Sequence, residues 1–226
     1  MKVCLDLFCG LGGFSAAFED AADWRVVTVD IEERFDPDVQ ADVLDLRPAD
    51  VLEALPVDEW DGMDTFVVLA SPPCTQLTTS GNHEYWDFET KQPTGDVARE
   101  HVTLLHHTIG LIRGLSPGYW FVENPRHGKA TWYLGEPTGT VTYCQYGRPY
   151  MKPTGLWGSH PDSFEYLSCN HGDPCHVSNT EHDGTSAIAS MKNMDASERA
   201  KVPYGLSASI LDAVEHPEPR ESLAMW

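Results

Sequence analysis

The residue of this sequence best suited to nucleophilic chemistry is the cysteine of Ser71-Pro72-Pro73-Cys74. It follows the apolar run DTFVVLA at 64–70, which predicts a buried strand. The two prolines fix φ and remove backbone donors, so they hold the thiol rigidly where the strand ends. We predict a nucleophile at Cys74, and a structural loop thiol is the alternative.

A glutamate occupies the corresponding place in Glu123-Asn124-Pro125, after the apolar run that begins at Tyr119. Burying a carboxylate at the end of an apolar strand is costly unless it is paired, which favours the protonated form and suits such a group to general-acid work. Parallel strands place their carboxyl ends at one edge of a sheet, so Glu123 is expected to face the cleft of the cysteine. A salt bridge to Arg126, or a helix cap, is the alternative for this carboxylate.

A glycine cluster, Gly10, Gly12 and Gly13, follows the first predicted strand. Glycines there let backbone N–H groups approach a ligand closely, and acids ending the neighbouring strands can accept from ribose hydroxyls or an adenine amine. The cluster lacks the G-x-G-x-x-G spacing of dinucleotide-binding turns. Taken alone, it is also compatible with a purely structural turn.

The elements that must position these groups alternate between strands and helices. Strands are predicted at 2–6, 25–30, 64–70 and 119–123, with shorter ones at 140–145 and 155–158. Helices are predicted at 14–22, 48–55, 97–115 and 202–214. This alternation predicts an α/β fold with a Rossmann-like, doubly wound, mostly parallel sheet, and a small polar insertion near the C-terminus.

The three motifs, in this order, resemble those of the cytosine-C5 DNA methyltransferase family, which uses S-adenosylmethionine. DLFCGLGG is similar to its cofactor motif, SPPC to its Pro-Cys motif, and ENP to its Glu-Asn-Val motif. The resemblance covers residues 1 to about 158 and implies the fold of class I methyltransferases. The cofactor residues that it implies are Phe8, Gly10, Leu11, Gly12, Asp30, Ile31, Asp42, Val43 and Pro72.

The chemistry that the resemblance implies agrees with the two strand-end residues. C5 of cytosine is a poor nucleophile until a group adds at C6. Addition of the Cys74 thiolate at C6, assisted by Glu123 at N3, makes C5 an enamine carbon able to attack a sulfonium methyl group. A base then removes the C5 proton and the thiolate leaves.

A fourth segment, 146–154, resembles a family segment with two arginines, whose places are taken here by Lys152 and Thr154. Lys152 is the candidate for orienting Glu123 or contacting the base, although it lacks the bidentate fork of arginine. A solvated surface lysine is the alternative, with Arg148 or Arg126 acting instead. We expect all four basic residues of this region, which include Lys129, to lie beside the base pocket.

The region expected to read the target is short. We divide the chain into a catalytic domain at 1–158, a polar insertion at 159–198 in place of a target-recognition domain, and a C-terminal helix at 199–226 that returns to the catalytic domain. Ala200 to Pro203 resembles a family segment at the cofactor pocket, or is a simple turn. The predicted partner is DNA. The alternatives are a free cytidine nucleotide or RNA as substrate, or an inactive cofactor-binding protein.

The insertion contains Cys169, His171, Cys175 and His176 within eight residues. Thiols and imidazoles this close could hold a structural zinc ion, although the spacing is unlike that of common zinc fingers. A loop with reduced thiols and a disulfide are the alternatives, so zinc stays an open cofactor question at this point.

The net charge of −20 argues against a basic nucleic-acid-binding module, and the 23 aromatic residues argue against a disordered acidic protein. Dispersed carboxylates suit either a halophilic protein or an ordinary acidic one. No run is long enough for a membrane span and no signal peptide is visible, so we expect no membrane partner and a cytoplasmic location. The short recognition region also fits a virus-encoded enzyme.

Overall fold

Alternating apolar side chains build the sheet at the centre of this computed structural model, which describes residues 1–55, 65–78, 83–176 and 194–218. In the first strand, Val3, Leu5 and Leu7 enter the hydrophobic core on one face of the sheet, whereas Cys4 enters the core on the other face. Successive side chains of a strand point to opposite faces, so a strand buried on both sides needs an uninterrupted apolar run. This explains why the apolar runs at 3–5 and 66–70 are continuous.

The strands are β1 (Lys2–Leu7), β2 (Trp24–Asp30), β3 (Val39–Gln40), β4 (Thr65–Ala70), β5 (Trp86–Asp87), β6 (Gln92–Pro93), β7 (Tyr119–Pro125), β8 (Gly139–Thr142) and β9 (Pro153–Ser159). The helices are α1 (Ala16–Asp20), α2 (Pro48–Ala54), α3 (Asp96–Leu115), α4 (Ala130–Leu134), α5 (Ala196–Ala200) and α6 (Tyr204–Glu215). Among the described residues, none of these helices has the length and apolar character needed to cross a membrane.

Seven strands form one sheet in the order β3-β2-β1-β4-β7-β9-β8, and β5 pairs only with β6. The five strands β3, β2, β1, β4 and β7 run parallel to one another, and β9 is antiparallel to both of its neighbours, β7 and β8. The chain moves outward from β1 in one direction and from β4 in the other. The carboxyl ends of β1 and β4 therefore flank a topological switch point, where ligands bind in such sheets. The predicted doubly wound α/β fold is confirmed.

Helices cover both faces of the sheet. One core contains buried residues of α2, α3 and α4, and the other contains residues of α1 and α6. Helix α3 packs through residues at helical spacing, including Leu105, Ile112 and Leu115. It comes so close to α2 that a Cβ on Gly114 would lie 2.6 Å from Cγ of Pro48.

The predicted strand at 140–145 is only partly correct. Strand β8 ends at Thr142, and Tyr143–Tyr146 form a 3₁₀ turn. Both Tyr143 and Cys144, which are neighbours in sequence, are buried.

The C-terminal segment returns to the glycine turn. A Cβ on Gly13 would lie 2.4 Å from the carbonyl oxygen of Val202, so the two backbones touch directly. Ser207 of α6 then donates to the carbonyl of Phe14 and accepts from the backbone N–H of Ala17. The domain division stays a prediction, and the 177–193 part of the polar insertion lies outside the described residues.

Two glycine-to-alanine variants test this contact. We expect Gly13→Ala to lower the free energy of unfolding by about 1–3 kcal/mol, because its methyl group meets a backbone that cannot easily move. The control Gly110→Ala lies on the exposed side of α3 with open space around its Cβ. It should raise the free energy of unfolding by roughly 0.5–1 kcal/mol. Urea denaturation measures both, and equal effects would contradict the contact.

Candidate active site

The glycine turn that follows β1 has an unusual backbone. Phe8, Gly10 and Gly12 all have positive φ, at 62°, 50° and 65°. This conformation costs a glycine little but strains the phenylalanine, and such strain concentrates at functional sites. The turn is tied to the end of β2, because the N–H of Gly10 donates to Oδ2 of Asp30 over 2.9 Å.

A cleft of about 200 Å³ opens beside this turn. Four residues of the predicted cofactor set line it: Phe8, Ile31, Asp42 and Val43. The other lining residues are Ala41, Leu44, Pro73, Glu100, His101 and Leu104. Gly10, Leu11, Gly12 and Asp30 lie in or beside the turn but do not line this cleft.

The proline beside the cleft differs from the one predicted. Pro73 lines the cleft, whereas Pro72 is buried and its carbonyl accepts from Nδ2 of Asn124 over 3.1 Å. The motif alone could not distinguish two adjacent prolines. A strand-end turn presents one of them to the ligand side and the other to the protein.

The cleft and its rim offer apolar walls and hydrogen-bond acceptors suited to a nucleoside. Phe8, Val43 and Leu104 give it apolar walls, and the exposed Ile31 leaves apolar surface to be covered by a ligand. Oδ1 of Asp42 accepts from the N–H of Leu44, and neither backbone nor side chain in the described residues donates to its other oxygen. Apolar walls with a few placed polar groups are the usual make-up of small-molecule sites.

The Asp30 carboxylate is the second acceptor near this cleft. It is 8% exposed, and its oxygens accept from the N–H groups of Gly10 and Glu32. A carboxylate oxygen has two lone pairs, so each retains capacity for a further donor such as a hydroxyl. Asp30 and Asp42 together could therefore accept from a diol and an amine.

Cys74 lies four residues after β4, at the switch point and partly exposed. Its loop is linked to helix α3, because His101 of α3 contacts both the helix backbone and a residue of the loop. Nδ1 of His101 lies 2.9 Å from the carbonyl of Val97, so this nitrogen must carry the proton. Its Nε2 then accepts from the hydroxyl of Thr75 over 3.0 Å, which fixes the residue next to the thiol.

Glu123 forms a cluster with two residues from different elements. It is 5% exposed, and its Oε1 accepts from the hydroxyl of Tyr143 at 3.0 Å and from Nζ of Lys152 at 3.3 Å. Nζ of Lys152 also lies 3.4 Å from the hydroxyl of Tyr143. The backbone N–H of Tyr143 donates to the carbonyl of Lys152, so this backbone bond holds the two partners of Glu123 next to each other.

The electrostatics of this cluster extend to the cysteine. Burial raises the pKa of the Cys74 thiol, Lys152 offsets part of that rise, and Glu123 adds to it. Burial opposes the charge of Lys152, but Glu123, Tyr143 and Cys74 outweigh it and raise the lysine pKa. Burial is also the largest cause of the raised pKa of Tyr143, so this phenol stays protonated and donates.

The segment after Glu123 holds the loop that carries Cys74 in place. Nζ of Lys129 donates to the carbonyls of Gln76 and Thr78, at 3.4 and 2.6 Å. A Cβ on Gly128 would lie 2.8 Å from the carbonyl oxygen of Leu77. The loop of Cys74 therefore rests on the residues that follow β7.

Of the four basic residues expected beside a base pocket, three have partners other than Glu123. Arg126 pairs with Glu136 at 2.7 Å, and Arg148 donates to the carbonyl of Lys201. Lys129 is buried against the loop that carries Cys74. Of the four, Lys152 contacts Glu123, and the alternative pairing of Glu123 with Arg126 is not formed. Sequence proximity did not determine where these long side chains point.

Tyr143 and His101 were not found by sequence reasoning. Tyr143 lies just before the segment 146–154 that resembles the family, so its position was the available signal. His101 lies within a helix whose amphipathic pattern predicts a packing role, and no spacing rule connects it to Thr75. Both contacts join residues far apart in sequence or in different elements.

Comparison with known proteins adds a relative along almost the whole chain. The chain is 28% identical over 225 residues to a frog virus 3 protein named "Probable DNA (cytosine-5)-methyltransferase", covering 92% of this chain and 98% of the relative. No protein-family model matches.

A solved structure of a putative DNA modification methyltransferase encoded within an E. coli prophage is also similar, at 20% identity with a TM-score of 0.46. The match covers 70% of this chain but only 47% of the solved one, so the chain spans about half the length of that protein. The printed name of the viral relative agrees with the family that the three motifs resemble. The chain is thus similar, along almost its whole length, to a protein named as a probable cytosine-5 DNA methyltransferase.

Proposed function

We propose that this protein transfers a methyl group from S-adenosylmethionine to C5 of cytosine in DNA, with Cys74 as the nucleophile. The observation that carries the proposal is the Glu123, Lys152 and Tyr143 cluster, whose charges act on a thiol at the switch point of the sheet. A structural loop thiol needs no paired acid and base at its side. The viral relative, whose printed name states this activity, supports the same conclusion.

The cofactor is assigned to the cleft beside the glycine turn. Asp30 would accept from the ribose hydroxyls and Asp42 from the adenine amine, with Phe8, Ile31 and Val43 against the base. Gly10, Leu11 and Gly12 would surround the methionine part, and Pro72 or Pro73 would lie beside it. When bound, S-adenosylmethionine supplies an electrophilic methyl group at its sulfonium. The apolar walls and the two carboxylate acceptors of the cleft fit an adenosine.

The nucleophilic step is the formation of a bond between Sγ of Cys74 and C6 of the cytosine. The electron pair displaced from the C5–C6 bond moves through the ring toward N3, where Glu123 would hold or deliver the proton that neutralises it. Tyr143 and Lys152 both contact Oε1 of this carboxyl group, and neither backbone nor side chain in the described residues donates to Oε2. Oε2 is therefore the oxygen available to the base.

The remaining steps restore aromaticity. C5, now nucleophilic, would take the methyl group from the sulfonium, which would leave as the neutral thioether. A base would remove the C5 proton, the thiolate would leave C6 as the double bond re-forms, and N3 would give its proton back toward Glu123. Lys152 compensates the negative charge of the Glu123 carboxylate. The cytosine in duplex DNA is stacked, so it must leave the helix or be presented in a single strand to reach the thiol.

The substrate class is tested by incubating the protein with methyl-labelled S-adenosylmethionine and, separately, duplex DNA, single-stranded DNA, RNA and dCMP. We expect label in DNA that is recovered as 5-methylcytosine. Label in dCMP or RNA alone would reject DNA as the substrate. Cofactor binding without label in any sample would favour an inactive binding protein.

A trapped adduct tests the nucleophile. In DNA containing 5-fluorocytosine, C5 has no proton to lose after methylation, so elimination is blocked and the enzyme stays attached. We expect a complex that survives denaturing electrophoresis with the native protein and S-adenosylmethionine, and more than a 100-fold loss of it in Cys74→Ser. Omission of the cofactor and unmodified cytosine DNA are the controls. An adduct of normal yield in Cys74→Ser would exclude this residue.

The pH dependence of Cys74 reactivity tests the role of Lys152. The thiolate is the reactive form, so alkylation by iodoacetamide should accelerate with rising pH and reach half its maximum above the ordinary thiol pKa. Lys152→Met removes the cation that offsets this raised pKa, so its midpoint should move to still higher pH. Lys152→Arg keeps the charge and should remain close to the native profile.

Peptide mass spectrometry can follow the alkylation of Cys74 separately from the other five cysteines. This readout does not depend on methyl transfer, so a merely structural effect of Lys152 would not produce it. A midpoint that is unchanged or lower in Lys152→Met would contradict the electrostatic link.

A further inference from the structure

Three thiols lie close together at the end of β8, one from the turn after this strand and two from the polar segment that follows β9. The sulfur atoms of Cys144, Cys169 and Cys175 all lie within 4.8 Å of one another. Cys144 is buried in the 3₁₀ turn after β8, and the other two are partly exposed. Four ligands arranged tetrahedrally around zinc, with Zn–S bonds of about 2.3 Å, place their sulfurs about 3.8 Å apart. The cluster therefore has the dimensions of a thiolate metal site.

A histidine lies against the same cluster. Nδ1 of His176 is 3.3 Å from Sγ of Cys169. A nitrogen and a sulfur bound to one zinc ion at ordinary bond lengths are about 3.5 Å apart. His176 lies outside the group of three mutually close sulfurs but contacts one of them, so it is the candidate for the fourth ligand. All four are soft or borderline donors of the kind that zinc prefers.

The backbone around the cluster is already fixed by hydrogen bonds. The N–H of Cys169 donates to the Thr142 hydroxyl at 2.7 Å, and that of Thr142 donates to the carbonyl of Leu167. These bonds attach the segment that carries Cys169 to strand β8. The two halves of the cluster thus approach each other through secondary-structure contacts as well as through their sulfur atoms.

The loop between Cys169 and His176 is closed on itself. Asp173 holds both ends, because its carboxylate accepts from the N–H of Asn170 and its carbonyl accepts from the N–H of His176. This turn places both the Cys175 sulfur and the His176 ring beside the sulfur of Cys169. Sequence spacing alone had made this pair look unsuitable as joint ligands.

We propose that Cys144, Cys169, Cys175 and His176 bind one structural zinc ion. A disulfide would use only two of the three sulfurs and would leave the third in contact with it. Four protein ligands leave no open position, which is the pattern of a structural rather than a catalytic zinc site. The inference concerns the chain's stability and stands independently of the methyl-transfer reaction.

The ligand set differs from the one that the sequence indicated. Cys144 replaces His171. Both histidines lie outside the group of three mutually close sulfurs, and His176 is retained because its Nδ1 lies 3.3 Å from Sγ of Cys169. Cys144 is 25 residues before Cys169, so a search of the local spacing could not find it. The ring of His171 packs at 5.2 Å against that of His176 and is the matched control for a histidine near the site but not in it.

The zinc ion would also support the candidate active site. Cys144 directly follows Tyr143, whose hydroxyl donates to Glu123. A metal bond at Cys144 would fix the 3₁₀ turn and so the position of this phenol. The polar segment after β9 would then hold the edge strand β8 and the turn that follows it in place.

The metal content of the native protein, purified without chelator, is the first test. We expect about one zinc per chain by inductively coupled plasma mass spectrometry. Addition of a mercurial reagent should release that zinc to a colorimetric chelator. Replacement with Co²⁺ should give the visible absorption of a tetrahedral thiolate site. No zinc in the native protein, combined with failure to bind added Zn²⁺ or Co²⁺, would overturn the proposal, as would a disulfide within the cluster in the non-reduced protein.

Variants then test the ligands one by one. Cys144→Ser, Cys175→Ser and His176→Ala should each lower zinc content at least several-fold, whereas His171→Ala should retain it. Removing zinc from the native protein should lower Tm by roughly 5–10 °C, an effect that added Zn²⁺ reverses. The metal-release assay on native protein remains decisive if a variant fails to fold. Full zinc occupancy in Cys144→Ser, or loss in His171→Ala alone, would contradict the assigned ligands.

Discussion

The buried carboxylate of Glu123 is the constraint on which the active-site half of the sheet depends. A charge that is 5% exposed is too costly to leave alone, and here Lys152 and Tyr143 compensate it. Lys152 immediately precedes β9, and Tyr143 immediately follows β8. The antiparallel insertion of β9 beside β7 is what allows both residues to reach the same oxygen. The order of the strands at this edge therefore determines which groups compensate the charge of Glu123.

The same segment of chain supports the loop of Cys74. Asn124, the neighbour of Glu123, donates to the carbonyl of Pro72, and Lys129 holds the carbonyls of the loop after Cys74. The acid and the thiol thus rest on a shared set of hydrogen bonds, so their separation is fixed by backbone contacts. On the other side of the switch point, the contact between Gly13 and Val202 holds the glycine turn in the same way.

The net charge of −20 acquires a clearer meaning from the placement of the basic side chains. Three of the four basic residues near the candidate site are engaged by a carboxylate or by backbone carbonyls. Under the proposed function, little phosphate attraction would come from them. Affinity for DNA would then depend on stacking and on contacts to the extruded base, terms that are weakly sensitive to salt. This agrees with the small size of the polar insertion.

Much of the fold and part of the site could be predicted from the sequence. Cys74 and Glu123 each end an apolar run, and glycines follow another, so their location at one edge of a parallel sheet follows from periodicity and strand direction. The residues that complete the site could not be found in this way. Tyr143, Cys144 and His101 lie in segments whose local pattern indicates packing, and their partners are distant in sequence.

The sequence by itself determined the chemical groups, the order of the strands along the chain and the strand ends at which the reactive side chains lie. Only the tertiary structure decided which lysine or arginine pairs with Glu123, which proline lines the cleft and which cysteine joins Cys169. The physical reason is that local patterns report burial and backbone direction over a few residues. Pairing between side chains depends on strand register and loop closure across the whole sheet, which no local pattern contains.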